Sequence, residues 1–228
     1  MTDVAGELQR HLGELRTLRG DPASAPVRLG EVKSWQAQRL AATYADMTSQ
    51  PRYAAATRFF LDDLYGPKDF SARDEAMLRI VPVMRRVLPA AALETAALAI
   101  ELEALSEALD HRVAAALPAG PIDTESYCRA YRDAGTPGER ARQVDLILAV
   151  GERLDVLVAR PFILTTLKLM RRPAKLAGLA DLQDFLERGF EAFGAMDGSQ
   201  AFLDAIEDRE RAIAAAIFAG TPLAFAPP

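Results

Sequence analysis

The segment from Ala90 to Leu117 sets the hardest constraint on what this chain can fold into. At 100° per residue, Leu93, Ala97, Ile100, Ala104 and Ala108 fall on one side of a helix, and Leu98, Leu102, Leu105, Leu109, Val113 and Ala116 on the other. A helix with two apolar faces has to be covered from both sides. The segment is therefore expected to be a central helix with neighbours on either flank. The alanines on its first side would let one neighbour come close.

The rest of the 228 residues can supply those neighbours. Hydrophobic residues make up 50% of the chain, alanine, leucine and charged residues dominate, and no alternating run of strand length occurs. That pattern favours helices over strands. Thr2 to Arg19 carries Leu8, Leu12, Leu15 and Leu18 near one side, and the loop Gly20 to Pro26 marks it as a candidate N-terminal arm. Glu31 to Ser49 follows, with Ala37, Leu40, Ala41, Tyr44 and Met47 inward. Trp35 points away from that side and is expected to pack on the N-terminal helix. Further helices are expected over Pro51 to Tyr65, Ser71 to Leu88 (interrupted by Pro82 and stopped by Pro89), Thr124 to Ala134, Glu139 to Ala159 and Pro161 to Arg172. Leu179 to Met196 shows a stripe of Leu182, Phe185, Leu186, Phe190 and Phe193, and a last helix is capped by Ser199 and ended by Gly220. The expected fold is all-α: a single multi-helix, bundle-like domain over residues 1–228, around a long central helix, with residues 1–20 as the candidate arm.

The most specific local pattern is Arg58-Phe-Phe-Leu-Asp-Asp-Leu-Tyr65, followed by Gly66-Pro67. On a helix, Tyr53, Ala56, Phe60 and Leu64 share a face, and Asp62 faces solvent beside Arg58. Asp63 falls between Phe59 and Phe60 at the edge of the apolar face, where a carboxylate needs a partner. Arg73, on a helix whose start Ser71-Ala-Arg-Asp74 has capping-box spacing, is the expected partner. The run from Phe59 to Tyr65 resembles the signature of the FFLEELY-motif family of uncharacterised bacterial proteins, with Asp62 and Asp63 where the family name has Glu. The likeness is strongest over residues 53–89 and implies a family but no activity.

Candidate chemistry is sparse. Glu103, Glu107 and His111 stand four residues apart on the central helix. A di-iron bundle uses Glu-x-x-His on two helices, so the spacing here is one residue too long, and His111 is expected to pack or cap. No calcium-hand, phosphate-loop, dinucleotide or nucleophile-elbow motif occurs. Cys128 has no histidine nearby in sequence and is expected to be a buried thiol. No cofactor or metal is expected. Phe59, Phe60, Asp63, Tyr65, Arg73, Asp74 and His111 are the candidate site if the helices enclose a pocket.

Charge is more informative. The formal net charge of −5 argues against general nucleic-acid binding. Between Val156 and Ala180 there is no acid, yet Arg160, Lys168, Arg171, Arg172 and Lys175 are present beside the apolar run Pro161 to Met170. Pairing with neighbouring acids, an anionic protein partner and anionic membrane are three readings of this stretch, in that order. A single cysteine and an N-terminus without an apolar run fit the cytoplasm. The leading expectation is a non-catalytic protein-interaction or self-association module. The alternatives are a small-molecule or metal-binding protein or enzyme near Asp63 and Arg73, and peripheral membrane contact through residues 160–175.

Overall fold

The computed structural model describes residues 3–20, 25–64 and 90–221, and no strand occurs among them. In chain order the elements are α1 (Val4–Arg19), α2 (Leu29–Thr43), α3 (Ala45–Ser49), α4 (Ala54–Phe59), a π-helical turn (Phe60–Leu64), α5 (Ala90–Ala116), α6 (Thr124–Ala134), α7 (Pro137–Val158), α8 (Pro161–Leu169), α9 (Arg171–Leu176), α10 (Ala180–Gly194) and α11 (Gln200–Ala219). The expected Ser71 to Leu88 helix lies outside the described residues.

The long helix α5 is central, as its two apolar faces require: α1, α2, α6 and α7 all pack against it. Its alanine side receives α1, where Leu8, Leu12 and Leu15 are wholly buried against Ala97, Ile100 and Ala104, with Leu182 of α10. Its second side is covered unevenly. Leu109 and Val113 are buried, Leu102 and Leu105 are half-buried, and Ala116 at the helix end is exposed. Around the C-terminal end of α5, Val32 and Trp35 of α2 join Tyr127, Cys128 and Ala130 of α6 and Ile217 of α11. Trp35 is buried as expected, but its stacking partner is Tyr127 on α6, with ring centroids 3.9 Å apart. A third cluster unites Leu40, Tyr44, Ala56 and Phe60 with Phe193, Phe202, Leu203 and Ile206 of α10 and α11.

Local chemistry sets the ends of several helices. Asp123 and Ser126 form a reciprocal capping box on α6, and Thr136 and Glu139 form one on α7, which has Pro137 in its first turn. Gly220 closes α11 in the left-handed region at φ 68°. Ser199 precedes α11 without a side-chain cap; its backbone N–H instead donates to Asp155 Oδ1 at 3.1 Å.

Two expected helices are divided. The Glu31 to Ser49 helix breaks at Tyr44, which leaves helical geometry at φ −111° and ψ 18°. Its buried hydroxyl donates to Glu210 on α11 at 2.9 Å. The Pro161 to Arg172 helix stops at Leu169 and restarts at Arg171. Pro173 explains this break: it has no N–H to offer the carbonyl four residues back, and its ring would collide with that carbonyl. In the first turn of a new helix the missing donor costs little.

The third difference concerns the Phe-Phe-Leu-Asp-Asp run. The helix begins at Ala54 rather than Pro51, and after Phe59 it widens into the π turn. Phe59 packs on Phe185 of α10 with ring centroids 5.3 Å apart. The same ring lies against Gly189 of α10, where an added Cβ would lie 2.8 Å from Phe59 Cζ. Gly189→Ala should therefore overpack this crossing and destabilise the fold by about 1–3 kcal/mol. A lower urea midpoint with an unchanged slope would confirm it; an unshifted midpoint would show that Phe59 has room to move.

Candidate ligand site

The sequence candidates are dispersed over the fold. Asp63 is buried at the foot of the π turn and accepts from Arg188 of α10, at 2.9 Å from Nη2 and 3.3 Å from Nε. Asp62 and Arg58 both face solvent. Tyr65, Arg73 and Asp74, and with them the expected Asp63–Arg73 pair, lie outside the described residues. Phe59 belongs to the α4–α10 crossing, whereas Phe60 borders a cavity. His111 projects from α5 with Nε2 3.4 Å from Glu107 Oε1, without a hydrogen bond from that nitrogen. Burial lowers the His111 pKa, against the opposing pull of Glu107.

The acids singled out by spacing on α5 form a charged network across helices. Arg19, the last residue of α1, donates from Nη1 to Glu103 at 2.9 Å and from Nη2 and Nε to Glu107 at 2.6 and 2.9 Å. Lys33 of α2 donates to the other Glu107 oxygen at 2.7 Å. Burial alone would raise the Glu107 pKa, but Arg19 and Lys33 outweigh it and hold the carboxyl below its ordinary range. One turn on, Asp110 accepts from Gln36 at 2.9 Å. Its nearest cations are less direct, and burial pushes its pKa up to about 6 despite the Gln36 bond and the fields of Lys33 and Arg140. Among the described residues no cluster of His, Cys, Asp or Glu is arranged to hold a metal ion.

These groups line a partly open cavity of about 220 Å³ that is also bordered by α7, α10, α11 and the π turn. Its walls are mainly apolar and include Phe60, Ile147, Leu154, Phe185, Phe193 and Leu203. Gly151 of α7 also borders it, at a close crossing where an added Cβ would come within 2.4 Å of Leu203. Arg19, Lys33, Gln36, Glu103, Glu107 and Asp110 complete the lining at the other end.

A second cavity of about 60 Å³, with a larger polar share of its wall, shares Gln36, Phe60, Ser106, Asp110 and Ile147 with the first. Arg140 of α7 borders it and is almost wholly buried. Its guanidinium stacks over the Tyr131 ring at 3.8 Å, and Nη1 donates to Gln143 at 3.2 Å. Nε and Nη2 have no hydrogen-bond partner among the described residues. The ring face of Tyr131 supplies part of the missing negative potential. Across the same cavity Arg39 and Tyr44 both donate to Glu210, at 2.6 and 2.9 Å, pinning α2 to α11.

Sequence reasoning reached Glu103, Glu107 and Phe60 but missed Arg19, Lys33, Gln36, Asp110 and Arg140. One usable signal was Asp110 itself, three residues after Glu107 and so on the same side of α5. The basic stretch is divided in its roles. Lys168 pairs with Glu191 at 2.8 Å, and Arg171 pairs with Glu187 through Nε at 2.8 and 2.9 Å and through Nη2. The Arg171 bond and that of Gln183 hold the Glu187 pKa at about 2. Arg160, Arg172 and Lys175 are exposed and make no ion pair among the described residues.

The raised Asp110 pKa has a consequence for stability. The native state keeps its proton to about pH 6, whereas the unfolded chain loses it near 3.8. The native state therefore binds more protons between those values, and its stability falls as pH rises through the window. At about 1.4 kcal/mol per pKa unit, the fall is on the order of 2–3 kcal/mol. Asp110→Asn removes this contribution while leaving other groups in place. The stability of wild type minus that of the variant, from denaturation at about pH 4 to 7, should shrink as pH rises; a constant difference would show that Asp110 titrates normally.

A family model described as a domain of unknown function (DUF8198) matches residues 15–224, and the chain belongs to that family. No curated protein and no solved structure matches it.

Proposed function

We propose that this member of the family binds a small, largely apolar molecule with one polar end in the cavity between α5, α7, α10 and α11. The observation that carries this reading is the cavity itself: about 220 Å³, apolar over most of its wall, with Glu103, Glu107, Asp110, Arg19, Lys33 and Gln36 gathered at one end. Apolar cavities of about 150 Å³ already accept benzene-sized guests. Ligand sites in general combine apolar walls with a few convergent polar groups. Glu103 and Glu107 are engaged by Arg19 and Lys33, so they shape and polarise the end of the chamber. Asp110 and Gln36 border both cavities and are placed to meet the polar group of a guest.

The run that resembles the FFLEELY signature supports this reading. Phe60 is part of the wall, and the Asp63–Arg188 pair ties the π turn to α10, which contributes Leu182, Phe185 and Phe193 to the same chamber. Cys128 is buried in the cluster around Trp35, and burial raises its thiol pKa. The reading is accordingly one of binding rather than nucleophilic catalysis. A role as a protein-interaction or self-association module would use the outer surface instead and leave the chamber idle.

The test fills the chamber from within. Ala99 lines it, and Ala99→Phe would occupy much of the space. Wild-type protein should bind the fluorophore N-phenylnaphthylamine saturably at one site. The variant should bind it at least about tenfold more weakly while melting no earlier, because the new ring gains contacts in a void. Equal binding by both proteins would place the dye elsewhere and remove the reading.

A further inference from the structure

We propose that the outward side of residues 160–176 is a docking surface for an anionic membrane, independent of the cavity. The segment comprises α8 and α9, which pack on α10. On α8, Ile163, Leu164 and Leu167 are half-buried and mark the inner side. Phe162 and Leu169 stand seven residues apart and so share one line on a helix, on the side opposite those three. They are 79% and 75% exposed. On the next helix Ala174 is buried, while Leu176 is 90% exposed. Met170, at the junction, is exposed as well. Phe162, Leu169, Met170 and Leu176 are thus all held out in water on one short segment.

The charges carried by the segment itself point to the occupant. No acid occurs between Val156 and Ala180. Lys168 and Arg171 are turned to Glu191 and Glu187 on α10 and are spent on the fold. Arg160, Arg172 and Lys175 remain, exposed and without an ion pair among the described residues, beside Phe162 and Leu176. The partner must therefore be anionic outside and apolar beneath. An anionic bilayer has that layering, and basic residues with apolar side chains together drive interfacial binding. The form of the surface favours a bilayer over a protein. Phe162, Leu169 and Leu176 project singly; a protein partner would need a matched pocket for each, whereas fluid acyl chains accommodate any projection. No helix among the described residues is long and apolar enough to cross a membrane, so the contact proposed is peripheral.

Sedimentation with vesicles tests this. Full-length protein should pellet with vesicles of phosphatidylcholine containing phosphatidylglycerol, and not with phosphatidylcholine alone. A Phe162→Ser, Leu176→Ser double variant and an Arg172→Glu, Lys175→Glu double variant should each lose at least about tenfold in bound fraction. Circular dichroism should show both folded, since all four side chains are exposed. Equal pelleting with neutral vesicles, or no loss in either variant, would overturn the proposal. So would a wild-type dimer in light scattering that Phe162→Ser and Leu176→Ser dissolve, because the surface would then be occupied by a second copy of the chain.

Discussion

The buried carboxylate of Glu107 is the interaction on which the arrangement of the first helices depends. It sits in the middle of α5 and is reached from α1 by Arg19 and from α2 by Lys33. Taking such a group out of water is costly, and only the two cations and their hydrogen bonds offset it. Removing both would leave a charge stranded in the interior, which typically costs several kcal/mol. The network therefore adds less to total stability than it does to placement: only one rotation and one height of α1 and α2 along α5 satisfy both oxygens. Hydrophobic contact between Leu8, Leu12, Leu15 and the alanine side of α5 is tolerant of small slips. The charges are not.

That placement keeps the chamber open. Because α1 and α2 are anchored to the acids of α5 and α6 covers its C-terminal end, its remaining side is left to α7, on which α10 and α11 pack in turn. Gly151 brings α7 against Leu203 of α11, and Gly189 brings α10 against Phe59. Tight crossings at those two points accompany looser packing between them, where Leu102 is half-buried and the cavity lies. Rigid surroundings and a void are compatible here because the ion pairs Arg39–Glu210 and Asp63–Arg188 hold the flanking elements from outside the void.

Much of this is legible in the sequence alone. The helical class, the central position of α5 and the burial of Asp63 follow from periodicity, because each depends on which residues share a helix face. What was not legible depends on pairing between distant segments. Nothing at Asp63 announces Arg188, 125 residues further on, and nothing at Trp35 announces Tyr127. The spacing of Glu103, Glu107 and His111 is one residue too long for a di-iron ligand set, but it does not announce the cations that Glu103 and Glu107 meet from α1 and α2. The break at Tyr44 likewise coincides with a hydrogen bond from its hydroxyl to Glu210, far along the chain. Pro173 shows the converse: a local cause present in the sequence that divides α8 from α9 by simple sterics.

The π turn after Phe59 gives this chain a place where its length can change cheaply. A π turn holds one residue more than an α turn, so five residues here sweep about the angle that four cover in a regular helix. Phe59 and Asp63 both meet α10 across that widened turn. Loss of one residue between Phe60 and Asp62 would let the turn tighten to a regular winding with Asp63 kept close to its present bearing, whereas the same loss from a regular helix would rotate the side chains after it by about 100°.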